Sequence, residues 1–155
     1  MKRNEHFYSL FLVLILISGC NFKSIYEKSF NIDKGEWNKG QVVKFEVPVK
    51  DTINGYDIFI ELRNNDEYPY SNLFLFVTTK SPNGASKKDT LQMTLADEKG
   101  KWLGKGLGGI RSNEKMFSNI RFPVSGNYKI EIVQGMRDDV LKGIMDVGLD
   151  IEKAR

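Results

Sequence analysis

Apolar and polar residues alternate along most of this chain, and the alternation has a period of two. Val43, Phe45 and Val47 are interleaved with Lys44 and Glu46, and Pro48 closes the run. Tyr56, Ile58, Ile60 and Leu62 alternate with Asp57, Phe59, Glu61 and Arg63. The same rhythm recurs in Leu91 to Leu95, in Tyr128 to Ile132 and in Val147 to Ile151, and more weakly through Phe117, Ile120 and Phe122. Successive side chains of a strand point to opposite faces, so each run predicts a strand with one buried and one solvated face. Leu73 to Val77 is apolar at every position and predicts a central strand covered on both sides. Turn chemistry separates the runs: Asn54-Gly55, Ser81-Pro82-Asn83-Gly84, Lys99-Gly100 and Ser125-Gly126 favour tight reversals. No long window carries a helical stripe. The best helical candidate is a single turn at Asp138 to Lys142, whose acidic start suits a helix N-terminus. Short strands with frequent turns predict an all-β fold, a single antiparallel β-sandwich of immunoglobulin-like or jelly-roll-like type.

Only the N-terminus breaks the period. Lys2 and Arg3 precede a nearly unbroken apolar run from Phe7 to Ile17, followed by Ile17-Ser18-Gly19-Cys20. The run is shorter than the roughly 20 residues of a membrane span. Its length and flanks are those of a secretory signal peptide. An aliphatic residue, two small residues and a cysteine form the bacterial lipobox. Small residues let the peptidase draw the backbone into a narrow site, and the thiol takes diacylglycerol. The predicted organisation is a lipoprotein signal peptide at 1–19, a lipidated Cys20 with its tether at 20–31, and a β-sandwich domain at 32–155. Two or more acyl chains give stable anchoring, so the mature protein is expected to be held at a membrane without crossing it.

Composition narrows the chemistry. The chain has 23 basic and 20 acidic residues. Removing residues 1–19 takes Lys2, Arg3 and Glu5, which leaves 21 against 19, a balance of +2. The cations are scattered rather than striped, so no nucleic-acid partner is expected. Cys20 is the sole cysteine and His6 the sole histidine, and His6 lies in the signal peptide. The mature chain therefore lacks a Ser-His-Asp or Cys-His mechanism and the usual zinc, copper and haem ligands. No enzyme activity, metal or cofactor is expected.

Three constellations could still carry function. The glycines at 104, 106, 108 and 109 follow Trp102, but Ile110-Arg111 stands where a phosphate loop needs Lys-Ser or Lys-Thr. They fit better a loop that needs positive φ and close backbone approach. Asp146, Asp150 and Glu152 share parity on one strand and are expected on its solvated face. Such acids could ligate calcium or form a glycosidase pair, yet nothing selects two of them. Arg63 falls on the polar face of its strand, where a buried ion pair or an edge position would serve as well as a binding role. The aromatics Trp37, Tyr68, Tyr70 and Trp102 sit at loops or strand ends. They either cap the open ends of the sandwich or form a surface for a glycan or protein. Tyr68, Tyr70 and Trp102 are the candidate partner or ligand surface.

Several stretches taken in order resemble one known family. They are Leu62-Arg63-Asn64, Tyr68-Pro69-Tyr70-Ser71-Asn72-Leu73, Gly100-Lys101-Trp102-Leu103-Gly104-Lys105-Gly106 and Met136-Arg137-Asp138 through Gly148-Leu149. With the lipobox, this order and spacing resembles the gliding motility lipoprotein GldH family of Bacteroidetes. The resemblance implies a non-catalytic cell-envelope role beside other gliding and secretion proteins, and no catalytic residues to carry over. In that lineage surface-exposed lipoproteins often bear an acidic run just after the lipidated cysteine. Asn21 to Ile25 has none, which points to the outer membrane facing the periplasm. The competing function is a periplasmic carbohydrate- or peptidoglycan-binding module, which predicts a row of aromatics along one sheet face.

Overall fold

The computed structural model of the chain describes residues 24–154. Ten strands run in chain order: β1 (Ser24–Asn31), β2 (Glu36–Asn38), β3 (Val43–Val49), β4 (Tyr56–Asn64), β5 (Asn72–Lys80), β6 (Ser86–Thr94), β7 (Arg111–Ile120), β8 (Gly126–Gln134), β9 (Val140–Lys142) and β10 (Ile144–Lys153). Two antiparallel four-stranded sheets face each other, one ordered β1-β10-β4-β7 and the other β3-β8-β5-β6. That order is the jelly roll, two Greek keys wound into two layers. It decides between the two expected sandwich types. The short strands β2 and β9 pair across one end.

The period of two does what it predicts. β3 buries Val43, Phe45, Val47 and Val49, and β8 buries Tyr128, Ile130 and Ile132. These meet Ile60 and Leu62 of β4 and Val147, Leu149 and Ile151 of β10 in one core. β3 runs on through Pro48 to Val49. It is an edge strand, and one row of its N–H groups has no ladder to serve. β5 is interior to its sheet, as Leu73 to Val77 suggests, but only one of its faces is sealed. Leu73 and Leu75 are fully buried, whereas Phe74 and Phe76 are half-buried. A two-layer fold has nothing to lay over an outer face. Phe76 is sheltered instead by the ammonium of Lys88, 4.7 Å from its ring centroid.

Two segments differ from expectation. Ser24 to Asn31, expected within the tether, is β1, paired along β10 from Glu152 to Asp146. An edge strand whose side chains stay mostly exposed carries little apolar alternation, so its pattern is faint. Ser24–Asn31 is therefore part of the first sheet of the sandwich. Asp138 to Lys142 forms no helix: it bends into β9, where Leu141 pairs with Trp37 and both are buried. Burial of that pair outweighs the local preference for a helical turn.

Both sheets end in the same two sets of loops. One pole holds the start of β1, the end of β10 and the turns 50–55, 81–85 and 121–125. It is closed by Tyr56, Phe122 and Tyr128, whose rings meet edge to face at 5.5 and 4.7 Å. The opposite pole holds the loops 32–42, 65–71, 95–110 and 135–143, with Trp37, Tyr68, Leu95 and Leu141 buried beneath them. Trp37 fills that end completely and donates from Nε1 to the carbonyl of Gln41 at 3.0 Å. Trp37→Ala should cost about 3–5 kcal/mol, the loss of a large core side chain. Urea unfolding should show this as a lower midpoint at unchanged slope.

Candidate functional site

The candidate surface lies at the pole away from β1's start. The loop after β4 carries Asp66, Tyr68 and Tyr70, and the segment after β6 carries Trp102. Tyr68 is only 2 % exposed. It donates its hydroxyl to the carbonyl of Asn72 at 2.8 Å, and burial pushes its phenol up in pKa. Tyr68 is therefore a core residue capping the sandwich, not part of a surface. Its ring meets that of Tyr70 edge to face at 5.8 Å. Tyr70 is half-buried and donates to Asp138 Oδ2 at 2.6 Å. That hydrogen bond to a carboxylate holds the Tyr70 proton and raises its pKa. Trp102 is half-buried against the core and donates from Nε1 to Asp66 Oδ1 at 3.0 Å. Cys20 lies outside the described residues.

Three apolar residues beside Trp102 were not singled out by the sequence pattern. Leu103 is 55 % exposed, Leu107 is 93 % exposed, and Ile110 is also exposed. They sit on the glycine-rich loop. At Gly106 a Cβ would lie 2.0 Å from the Ile110 carbonyl oxygen, and Gly108 has a φ of +66°. The glycines thus let the loop fold tightly on itself, which turns Leu107 out to solvent. Lys105 and Ser112 exchange backbone hydrogen bonds at 3.0 and 2.7 Å, which pins the loop to β7. The available clue was a set of single apolar residues among glycines that no strand claims.

The same loop walls a groove of 540 Å³ on the outer face of the β1-β10-β4-β7 sheet, floored by Ser29, Glu61, Arg63, Glu114 and Asp146. Asp146, expected on a solvated face, is buried: Arg63 covers it, with Nε at 2.7 Å and Nη2 at 2.6 Å from Oδ2. Arg63 thereby takes the ion-pair role. Glu61 lies across Gly148, where a Cβ would come within 3.2 Å of the Glu61 Cβ. Burial raises the Glu61 carboxyl, and the charges of Asp150, Glu27, Glu114 and Asp146 raise it further. Among the described residues no cluster has the makings of a metal site. Neither outer face bears a row of exposed aromatics among the described residues. The acidic face has Phe59, and the other has Phe74 and Phe76, all half-buried.

A raised carboxyl pKa means that the folded state holds the Glu61 proton more tightly than the unfolded chain does. Its favourable contribution is complete below the ordinary glutamate value, about 4.3, and is lost as pH rises through the folded value. Glu61→Gln removes the repulsion without removing the side chain. It should raise Tm at pH 7, and thermal melts at about pH 4 and below should show no gain.

A family model described as GldH lipoprotein matches residues 24–151. The chain is 41 % identical over 149 residues to a gliding motility lipoprotein GldH homolog of Christiangramia forsetii, covering 91 % of each chain. It is 34 % identical over 152 residues to the gliding motility lipoprotein GldH of Flavobacterium johnsoniae, covering 93 % of this chain and 94 % of the relative. Among solved structures, a carbohydrate-binding module specific for non-crystalline cellulose superposes with a TM-score of 0.49 at 12 % identity, covering 83 % of this chain and 73 % of the module. Similarity at that level carries nothing about ligands.

Proposed function

The chain belongs to the GldH lipoprotein family, and on that premise we propose a non-catalytic cell-envelope lipoprotein of the gliding apparatus, anchored by lipid on Cys20. The observation that carries the reading is the polarity of the fold. Ser24 is four positions from Cys20, a reach of at most about 14 Å. From Ser24, β1 runs for 8 residues to the other pole, about 26 Å at the usual rise per residue. An anchor at Cys20 therefore joins the domain at the pole opposite Tyr70, Trp102, Leu103, Leu107 and Ile110. Those residues form the proposed docking surface for another envelope protein of the gliding or secretion machinery. Lipid anchoring raises the local concentration of the domain for such a partner. Asn21 to Ile25 carries no acidic run, which favours the periplasmic face of the outer membrane.

The test is palmitate labelling and crosslinked capture from envelope membranes. Wild type should incorporate label and recover gliding or secretion proteins. Cys20→Ser should lose both. Leu107→Asp, at an exposed position, should keep its label and Tm but lose capture by roughly tenfold, as expected for an interface anchor worth about 1.4 kcal/mol. Capture unchanged in Leu107→Asp would remove the docking surface from the proposal. Recovery of glycan fragments alone, by both wild type and Cys20→Ser, would replace it with the carbohydrate-binding reading.

A further inference from the structure

The pole where β1 begins carries its own exposed apolar residue. Ile53, at the tip of the turn between β3 and β4, is 81 % exposed. The turn is rigidly built. Asp51 Oδ1 accepts the backbone N–H groups of Ile53 and Asn54 at 3.0 and 3.1 Å, and Oδ2 accepts from the Asn54 side chain at 2.6 Å. These bonds hold the Asp51 carboxyl down to about 2, so the brace stays ionised at any physiological pH. The backbone N–H of Ala154 donates to the Gly55 carbonyl at 2.9 Å and ties the end of β10 to the same turn. A braced turn thus presents an isoleucine to solvent rather than to the core.

The same pole carries cations. Lys50 adjoins the turn, Lys153 ends β10 and Arg121 follows β7, and all three are exposed. None of the three is in an ion pair among the described residues, whereas Lys80 of the same pole is bound to Glu131 at 2.9 Å. The acids on the turn and on the adjoining ends of β4 and β10 are Asp51, Asp57 and Glu152. Asp51 is occupied as described, Asp57 accepts the backbone N–H of Asn119 at 2.9 Å, and Glu152 is half-buried. Ser24 starts β1 here, opposite Glu152.

We infer that this pole rests on a phospholipid surface, with Ile53 entering the boundary between headgroups and acyl chains and Lys50, Arg121 and Lys153 against anionic headgroup phosphates. The inference rests on the anchored reading proposed above. A lipid four residues from Ser24 fixes the distance of the domain from the bilayer but leaves its tilt free. A second, apolar contact beside basic residues is the usual complement to a lipid chain, and attraction to anionic lipid strengthens it. The tilt so selected keeps the Leu107 loop pointing outward.

The experiment uses the lipidated chain in vesicles of phosphatidylethanolamine and phosphatidylglycerol. A cysteine placed by Ile53→Cys is the free thiol available for the fluorophore NBD, because Cys20 is acylated. Leu107→Cys gives the opposite pole. Flotation with the vesicles tests the anchor first. NBD at residue 53 should then shift to shorter wavelength with a several-fold gain in intensity, and NBD at residue 107 should keep its emission in water. Changing Lys50, Arg121 and Lys153 to Glu should abolish most of the gain at 53 while flotation persists. Flotation with residue 53 still in water, or with residue 107 shifted instead, overturns the orientation alone. Failure to float overturns the anchored reading and this inference with it.

Discussion

The register of β10 is the constraint on which the rest of the molecule depends. The strand lies between β1 and β4 and pairs with both along nearly its full length. Val147, Leu149 and Ile151 point into the core, and Asp146, Gly148 and Asp150 point out. A slip of one residue would exchange these sets, exposing three apolar side chains and burying two carboxylates. Gly143 helps to set the register. Its φ is +80°, and a Cβ there would lie 2.4 Å from the backbone nitrogen of Tyr68. The chain turns sharply at that point, and an irregularity between Ile144 and Asp146 then brings β10 into line with β4.

Several functional features follow from that register. It places Gly148 beneath Glu61, so a carboxylate can lie flat on the sheet, and it places Asp146 beneath Arg63. It also gives β1 its one ladder among the described residues and so puts Ser24 at one pole. The acidic outer face and the polarity of the domain therefore share a structural origin. On the proposed anchoring, an acidic face would resist lying flat against an anionic membrane, and the proposed stance on one pole keeps it clear of the lipid.

The proposed upright stance would connect the family assignment to physical chemistry. A lipoprotein of a motility apparatus needs position more than reactivity. The jelly roll supplies a rigid body whose two ends are separated by the length of its strands. One end bears a braced turn and cations. The other bears a glycine-folded loop with apolar side chains in water, held in place by Trp102 on Asp66 and by Tyr70 on Asp138.

The fold class was legible in the sequence because a half-buried strand must alternate, and β3, β4, β6, β8 and β10 all do. The family resemblance and the glycines of the 104–109 loop were legible for the same kind of reason, since each depends on residues near one another in the chain. What depends on distant partners was not. The edge strand β1 was hidden because edge positions bury little and so leave little pattern. The Asp138 to Lys142 turn became a strand because Trp37, about a hundred residues away in sequence, offered Leu141 a place to be buried. Tyr68 and Tyr70 look alike in sequence, but tertiary packing sealed one in the core and left the other half in solvent. The sequence pattern singled out neither Leu107 nor Ile53, because exposure is a property of what fails to pack nearby. Local order was written in the spacing of side chains, whereas burial, pairing and the two poles were decided only when distant strands met.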